Sequence, residues 1–192
     1  MSLKPLRIAA LMSAMLVAAC STTGFTTSSA SSEAASHAQL VREARVALNN
    51  LYATTPSARN LSANAAGVLI FPSIVKAGFL LGGSGGRGVL FGPDGSVKGY
   101  YSAGAVSWGL QAGAQSFSEA MVLMTPDAVQ NLDTADGWSV GVGPSVVVAD
   151  EGIARDVTTT TARSDVYAFI YGQSGLMAGL GVQGQKITRL SN

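Results

Sequence analysis

The chain has 192 residues, enough for one well-cored domain and short for two. Hydrophobic residues make up 47% and charged residues 12%, which excludes a disordered chain and a nucleic-acid-binding one. A formal net charge of +1, with no block of like charge, supplies no global field to steer a charged partner.

Residues 1–19 read as a secretory signal. "MSLKPLR" supplies Lys4 and Arg7, and "IAALMSAMLVAA" is an apolar stretch shorter than the roughly 20 residues a spanning helix needs. The next residues, Val17-Ala18-Ala19-Cys20, resemble the lipobox of bacterial lipoproteins. There the cysteine takes a thioether-linked diacylglyceryl group, becomes the new N-terminus and is N-acylated with a palmitate-type chain. Cys20 is the sole cysteine, so no intramolecular disulfide is possible, and lipidation removes a lone exported thiol. Acyl chains contribute about 0.8 kcal/mol per buried methylene, so two or more of them anchor stably. Without Lys4 and Arg7 the 12 basic residues become ten, against 11 acidic ones, and the mature chain is near neutral. Ser21 stands where an Asp commonly retains lipoproteins in the inner membrane. The expected location is therefore the outer membrane of a two-membrane envelope.

Residues 20–35 have the Ser/Thr/Ala composition of a flexible tether. Order is expected from Ser36. Ser36 and Gln39 have capping-box spacing, and Leu40, Ala44, Ala47, Leu48 and Leu51 recur at helical intervals. Pro56 stops that helix near Thr55. A second short helix is expected over 57–66, with Gly67 as its C-cap. The polar face of the first helix holds only Arg42 and Arg45, so it is expected to pack on the domain's own core rather than lie on a membrane.

From Gly67 the texture changes. Short apolar or alternating runs such as "GVLIF", "VKAGFLL", "RGVLF", "SEAMVLM" and "VYAFIYG" are separated by turn clusters such as "FGPDGS" and "DTADGW". This is the pattern of an antiparallel, glycine-rich, barrel- or sandwich-like β domain. Thr125-Pro126-Asp127 starts a short helix with Pro at its first position. The fold class expected is mainly β with an N-terminal α-helix, α+β overall, with 36–66 helical and 67–192 β-rich.

The stretch "GGSGGRG" (82–88) matches G-x-G-x-x-G at Gly83, Gly85 and Gly88. A dinucleotide loop needs a helix to begin there and aim its N-terminus at the pyrophosphate. Here "VLFGPDG" runs into a turn instead, the region some 20 residues on, around Trp108, is uncharged, and no Gly-Lys-Ser/Thr follows. The nucleotide reading is rejected, and the glycines are assigned to a hairpin turn, bulges and close strand approach. Other chemistry is thin. His37 is the single histidine, which makes a poor triad and no N/S metal cluster. Asp133 and Asp136 read as turn formers, and Thr158 to Thr161 as an edge segment. No catalytic residue, metal or cofactor is expected, and the chain is read as non-enzymatic.

Four strings carry a family resemblance: "GVLIFPSIVKAGF" (67–79), "GYYSAGAVSWGLQAGAQS" (99–116), "DGWSVGVGPSV" (136–146) and "VYAFIYGQSGLMAGLGVQGQKITRL" (166–190). They resemble the SYLF domain, in the same order and over roughly Ser36 to Leu190. That family includes a yeast actin-patch protein, animal phosphoinositide-binding adaptors, plant FYVE proteins and bacterial envelope lipoproteins. The lipobox resemblance fits the bacterial branch. The resemblance implies lipid binding. Actin is not expected as a partner, because fungal members lack a lipobox and an exported bacterial chain meets no host-type actin. Animal members look to use a basic amphipathic N-terminal helix, whereas here Arg42 and Arg45 stand against Glu43. By position, Lys76 in "FPSIVKAG" is a candidate headgroup contact, and Gln111 and Gln115 in "QAGAQ" are candidates for a pocket. Arg87 in the glycine stretch and Lys98 after the "GPDG" turn extend the headgroup set to a basic rim. Tyr100, Tyr101, Trp108 and Trp138 are assigned to core or interfacial packing. The function expected is membrane-lipid binding by a lipid-anchored envelope protein. The alternative is a structural or protein-interaction module at the outer membrane.

Overall fold

The computed structural model describes residues 24–134, 137–139, 145–148 and 164–191. Helix α1 spans Gly24–Thr54, starting twelve residues ahead of the expected Ser36. Residues 25–35 contain no Gly or Pro and include several good helix formers, so nothing in them breaks the backbone pattern that continues to Thr54. Ser36 therefore lies inside the helix and does not cap it. Leu40, Ala44, Ala47 and Leu51 form the buried stripe, at the three- and four-residue spacing of one helix face. Pro56 opens α2 (Pro56–Ser62) at its first position, where its missing N–H costs nothing.

Three long strands follow: β1 (Gly67–Phe91), β2 (Val97–Leu123) and, after α3 (Pro126–Asn131), the last strand β5 (Val166–Arg189). They pair antiparallel in the order β1-β2-β5. Two short strands join the free side of β5, β3 (Trp138–Ser139) antiparallel and β4 (Val146–Val148) parallel. At the start of α3, the Thr125 hydroxyl accepts from the Ala128 N–H at 3.2 Å, as an N-cap should. The many short runs of the sequence are thus fused into strands of 25, 27 and 24 residues.

These strands do not run straight. β1 turns back on itself about Leu80, which has φ 64° and sits in a register shift between Phe79 and Leu81. Positions either side of that bend come together. A Cβ on Gly86 would lie 2.6 Å from the Ser73 carbonyl oxygen, and one on Gly88 2.6 Å from Phe71 Cδ1. On β2, Gly113 takes φ 132° at the same level and packs on the Leu176 carbonyl of β5. The ribbon is doubled over across its middle, with residues 67–78 of β1 in one arm and 82–91 in the other. The glycine stretch 82–88 is therefore continuous ladder, with close approach as expected but without the expected hairpin turn. That turn lies at 92–96, where Gly92 N–H donates to the Ser96 carbonyl at 2.9 Å.

Both faces of the arms near their ends are covered. Val68, Ile70, Val89, Phe91, Val122 and Tyr167 pack under α1 and α2, while Leu69, Phe71, Leu90, Tyr101, Met121 and Ile187 join Ala128 and Leu132 around α3. Successive residues of "GVLIF" alternate between these two clusters, which is why the run reads as uninterrupted apolar sequence. Each such fully buried side chain contributes about 1.5–3 kcal/mol. The fold is mainly antiparallel β with an N-terminal helix, α+β overall. Its sheet is open: among the described residues β1 pairs on one side only.

Candidate functional site

The packing that covers the arm ends leaves the bend uncovered. Phe79 is 76% exposed, Leu81 69%, Trp108 59% and Leu176 88%, and Leu80, Val75 and Val106 are exposed beside them. The ladder sets them side by side: Leu81 is the cross-strand partner of Trp108, and Leu176 that of Ala114. Of the aromatic residues assigned to packing, Tyr101 and Trp138 are buried, Tyr100 stacks on His37 with centroids 3.9 Å apart, and Trp108 projects outward.

The three cations of the expected rim occupy different places. Lys76 lies on the first arm of β1, four residues before Leu80, opposite Gln115. Arg87 lies on the second arm, next to Gly86, which packs on Ser73 of the first. Its Nη1 donates to the Ser36 hydroxyl of α1 at 3.1 Å. Lys98 follows the 92–96 hairpin and sits 3.8 Å from Asp94. The Asp94 carboxyl is held below its ordinary value first by hydrogen bonds from Ser96, with Lys98 a lesser cause. Doubling the ribbon thus brings Lys76 and Arg87 to facing arms and leaves Lys98 at the hairpin end. Between α1 and the first arm runs a groove of about 300 Å³ lined by Ser36, Gln39, Glu43, Pro72, Ser73 and Arg87. It continues into one of about 510 Å³ that reaches Arg42, Val46 and Ser118. The groove forms where the register shift between Phe71 and Ile74 lifts Pro72 and Ser73 out of the β1–β2 ladder.

Gln111 and Gln115 are ladder positions on β2, paired with Gly179 and Gly175 of β5; the Gln111 side chain lies outside the described set. Gln115 is half-buried opposite Lys76. A further glutamine, Gln185, lines a cavity. A space of about 190 Å³ is bounded by Phe117, Glu119, Val146, Val148, Ala168, Ile170 and Gln185. Glu119, 4% exposed, accepts from Gln185 Nε2 at 2.9 Å. Burial pushes its carboxyl above the ordinary range, and the Gln185 hydrogen bond offsets part of that. Glu119 belongs to the first arm and Gln185 to the second, so the bond clips the doubled ribbon shut. Nothing in "SEAMVLM" distinguishes Glu119 from a solvated strand residue, because its partner is 66 positions away.

Asp133 does more than form a turn. Its Oδ1 lies 2.7 Å from Arg189 Nη1 and accepts from the Tyr101 hydroxyl at 2.8 Å. Burial first, and Asp133 second, push the Tyr101 phenol well above its ordinary value. This network ties the end of α3 to β2 and β5, and its members are 32 and 56 positions from Asp133. Asp136 and Thr158 to Thr161 lie outside the described residues. Among the described residues no three His, Cys, Asp or Glu side chains cluster for a metal. No described helix is long and apolar enough to cross a membrane.

Residues 104–192, from Gly104 within β2 to the C-terminus, match the Ysc84 family, described as a Las17-binding protein actin regulator. No curated protein matches the chain.

Proposed function

We propose, from the match of residues 104–192 to the Ysc84 (SYLF) family, that this protein is a non-catalytic envelope protein that binds membrane lipid, anchored by acyl chains on Cys20. Its expected location is the outer membrane. The family description names an actin regulator, but the export signal read at residues 1–19 argues against actin as a partner here.

The observation that carries the lipid reading is the placement of Lys76 and Arg87. They stand on facing arms of one folded strand: Lys76 follows the exposed Val75, and Arg87 lines the groove against α1. Among the described residues the ion pairs are Lys98–Asp94 and Arg189–Asp133, so neither Lys76 nor Arg87 has a carboxylate partner. A near-neutral chain obtains headgroup selectivity only from such local charge. Each cation near an anionic surface contributes about 1 kcal/mol.

The test uses the chain from Gly24 onward, without the anchor, in flotation with phosphatidylglycerol-containing vesicles against neutral phosphatidylcholine ones. Selective binding to the anionic vesicles is expected. Lys76→Ala with Arg87→Ala should lose about 2 kcal/mol, roughly thirtyfold in affinity, and Lys98→Ala distinctly less because Asp94 already holds it. Binding by the double variant equal to wild type at low salt would refute the headgroup role. The anchor is tested separately: Cys20→Ala should abolish incorporation of labelled fatty acid.

A further inference from the structure

The exposed residues at the bend ask for a covering. In the sequence, segments 75–87, 104–116 and 171–185 contain no Asp or Glu. Their only Lys and Arg residues are Lys76 and Arg87, and Lys186, which is exposed, follows directly. An apolar surface whose own strand segments carry cations and no acid matches an anionic surface with an apolar interior. We propose that the fold-over edge is a bilayer-penetrating element, in which Phe79, Leu80, Leu81, Trp108 and Leu176 enter the acyl boundary of an anionic membrane. This rests on the lipid-binding reading and adds where the domain touches the bilayer and how deeply.

Three features support it. The side chains form one projecting edge, because the three strands bend at the same level and the ladder keeps Leu81 beside Trp108 and Phe79 beside Ala112. Leu80 is the one non-glycine among the described residues with positive φ. Left-handed geometry costs a Leu roughly 1–2 kcal/mol, and this one is 53% exposed, so the two hydrophobic clusters gain nothing in return. Trp108 is amphipathic, the ring type that settles at the headgroup level. Depth is limited by the backbone. Among the described residues the free side of β1 carries N–H and C=O groups without a strand partner, and these cannot enter hydrocarbon unsatisfied. The edge therefore lies at the interface, with its side chains about 5–10 Å into the boundary.

The chain holds two tryptophans, Trp108 outside and Trp138 at 3% exposure, so fluorescence reads the edge directly. With phosphatidylglycerol–phosphatidylcholine vesicles carrying brominated acyl chains, the chain from Gly24 should show a blue-shifted component quenched best by bromines near the headgroup. Trp108→Phe should remove that component and leave the Trp138 signal. Phe79→Ser, Leu81→Ser and Leu176→Ser together change exposed positions only. This triple variant should keep the wild-type melting temperature and lose at least tenfold in vesicle affinity. Flotation of wild type and triple variant alike, with Trp108 unquenched, would overturn penetration and leave the headgroup reading standing. Failure of wild type to float would overturn both. A wild-type oligomer that ignores vesicles and dissociates in the triple variant would assign the edge to a second copy of this chain, and also overturn penetration.

Discussion

Gly83 and Gly88 belong to one seven-residue stretch, 82–88, yet only one of them lacks room for a side chain. A Cβ at Gly88 would meet Phe71 and the Ile70 carbonyl below 3 Å, whereas at Gly83 the nearest atom is 3.7 Å away. Gly88→Ala should cost about 1–3 kcal/mol through overpacking. Gly83→Ala should be neutral or stabilise by up to about 1 kcal/mol, since Ala suits a strand better than Gly. Thermal melts of the two variants check this, and equal losses would contradict the close approach. Glu119 makes a second prediction at this scale. Its folded-state pKa is raised, so the folded chain holds a proton the unfolded chain has released. Stability from this group is intact below the unfolded value and falls as pH rises through the window above it. Glu119→Gln keeps the clip to Gln185 without the charge. It should flatten the decline of melting temperature from pH 5 to 7 and melt higher than wild type at pH 7. An unchanged pH profile would show that Glu119 does not titrate in this way. Asp133→Ala, which strands the buried Tyr101 hydroxyl and frees Arg189, should cost about 1–3 kcal/mol in denaturant unfolding.

Among the elements, β1 shows how a strand can bend by half a turn without losing its ladder. The register shift at Phe79/Leu81 and the left-handed Leu80 absorb the reversal, and the glycines of the second arm let it close on the first. Leu80→Gly should relieve the backbone strain and raise stability by up to about 1 kcal/mol. The same change deletes an exposed apolar side chain, so vesicle affinity should fall while the melting temperature rises. A lower melting temperature would mean that Leu80 serves the fold rather than the edge. Helix α1 illustrates the opposite case, local sequence prevailing over an expected boundary. The Ser36–Gln39 spacing fits a capping box, but Gln39 Nε2 donates instead to Glu43 at 2.8 Å, and Ser36 accepts from Arg87.

At the scale of the whole molecule, the stretch 104–192 that carries the family match is not a folding unit. It holds β5 and most of β2, but the partner of β2 along its other edge is β1, and one hydrophobic cluster needs α1 and α2. A fragment starting at Gly104 would expose Val122, Tyr167 and Phe169 on one face and lose Leu69, Phe71 and Leu90 from the other. It should show no cooperative thermal transition, whereas the chain from Gly24 contains every residue of both clusters and should unfold as one unit. A sharp, reversible transition in the short fragment would contradict the two-cluster core.

Local patterns made much of this protein legible without coordinates. The helical spacing of Leu40, Ala44, Ala47 and Leu51, the Thr125-Pro126 helix start, the "FGPDGS" hairpin and the antiparallel β character all rest on interactions within a few residues. So does the exclusion of a nucleotide loop, since a β-branched and aromatic run cannot begin a helix. What the tertiary structure decided depends on residues far apart in the chain. Three strands bending at one level set Leu81 beside Trp108, stack Gly86 on Ser73, join Glu119 to Gln185 and Asp133 to Arg189, and separate Lys98 from Lys76 and Arg87. The apolar runs around Phe79 and Trp108 have the composition of core strands. Only the place of the bend puts them outside, because a hydrophobic pattern specifies which faces are apolar and not which of them another element will cover.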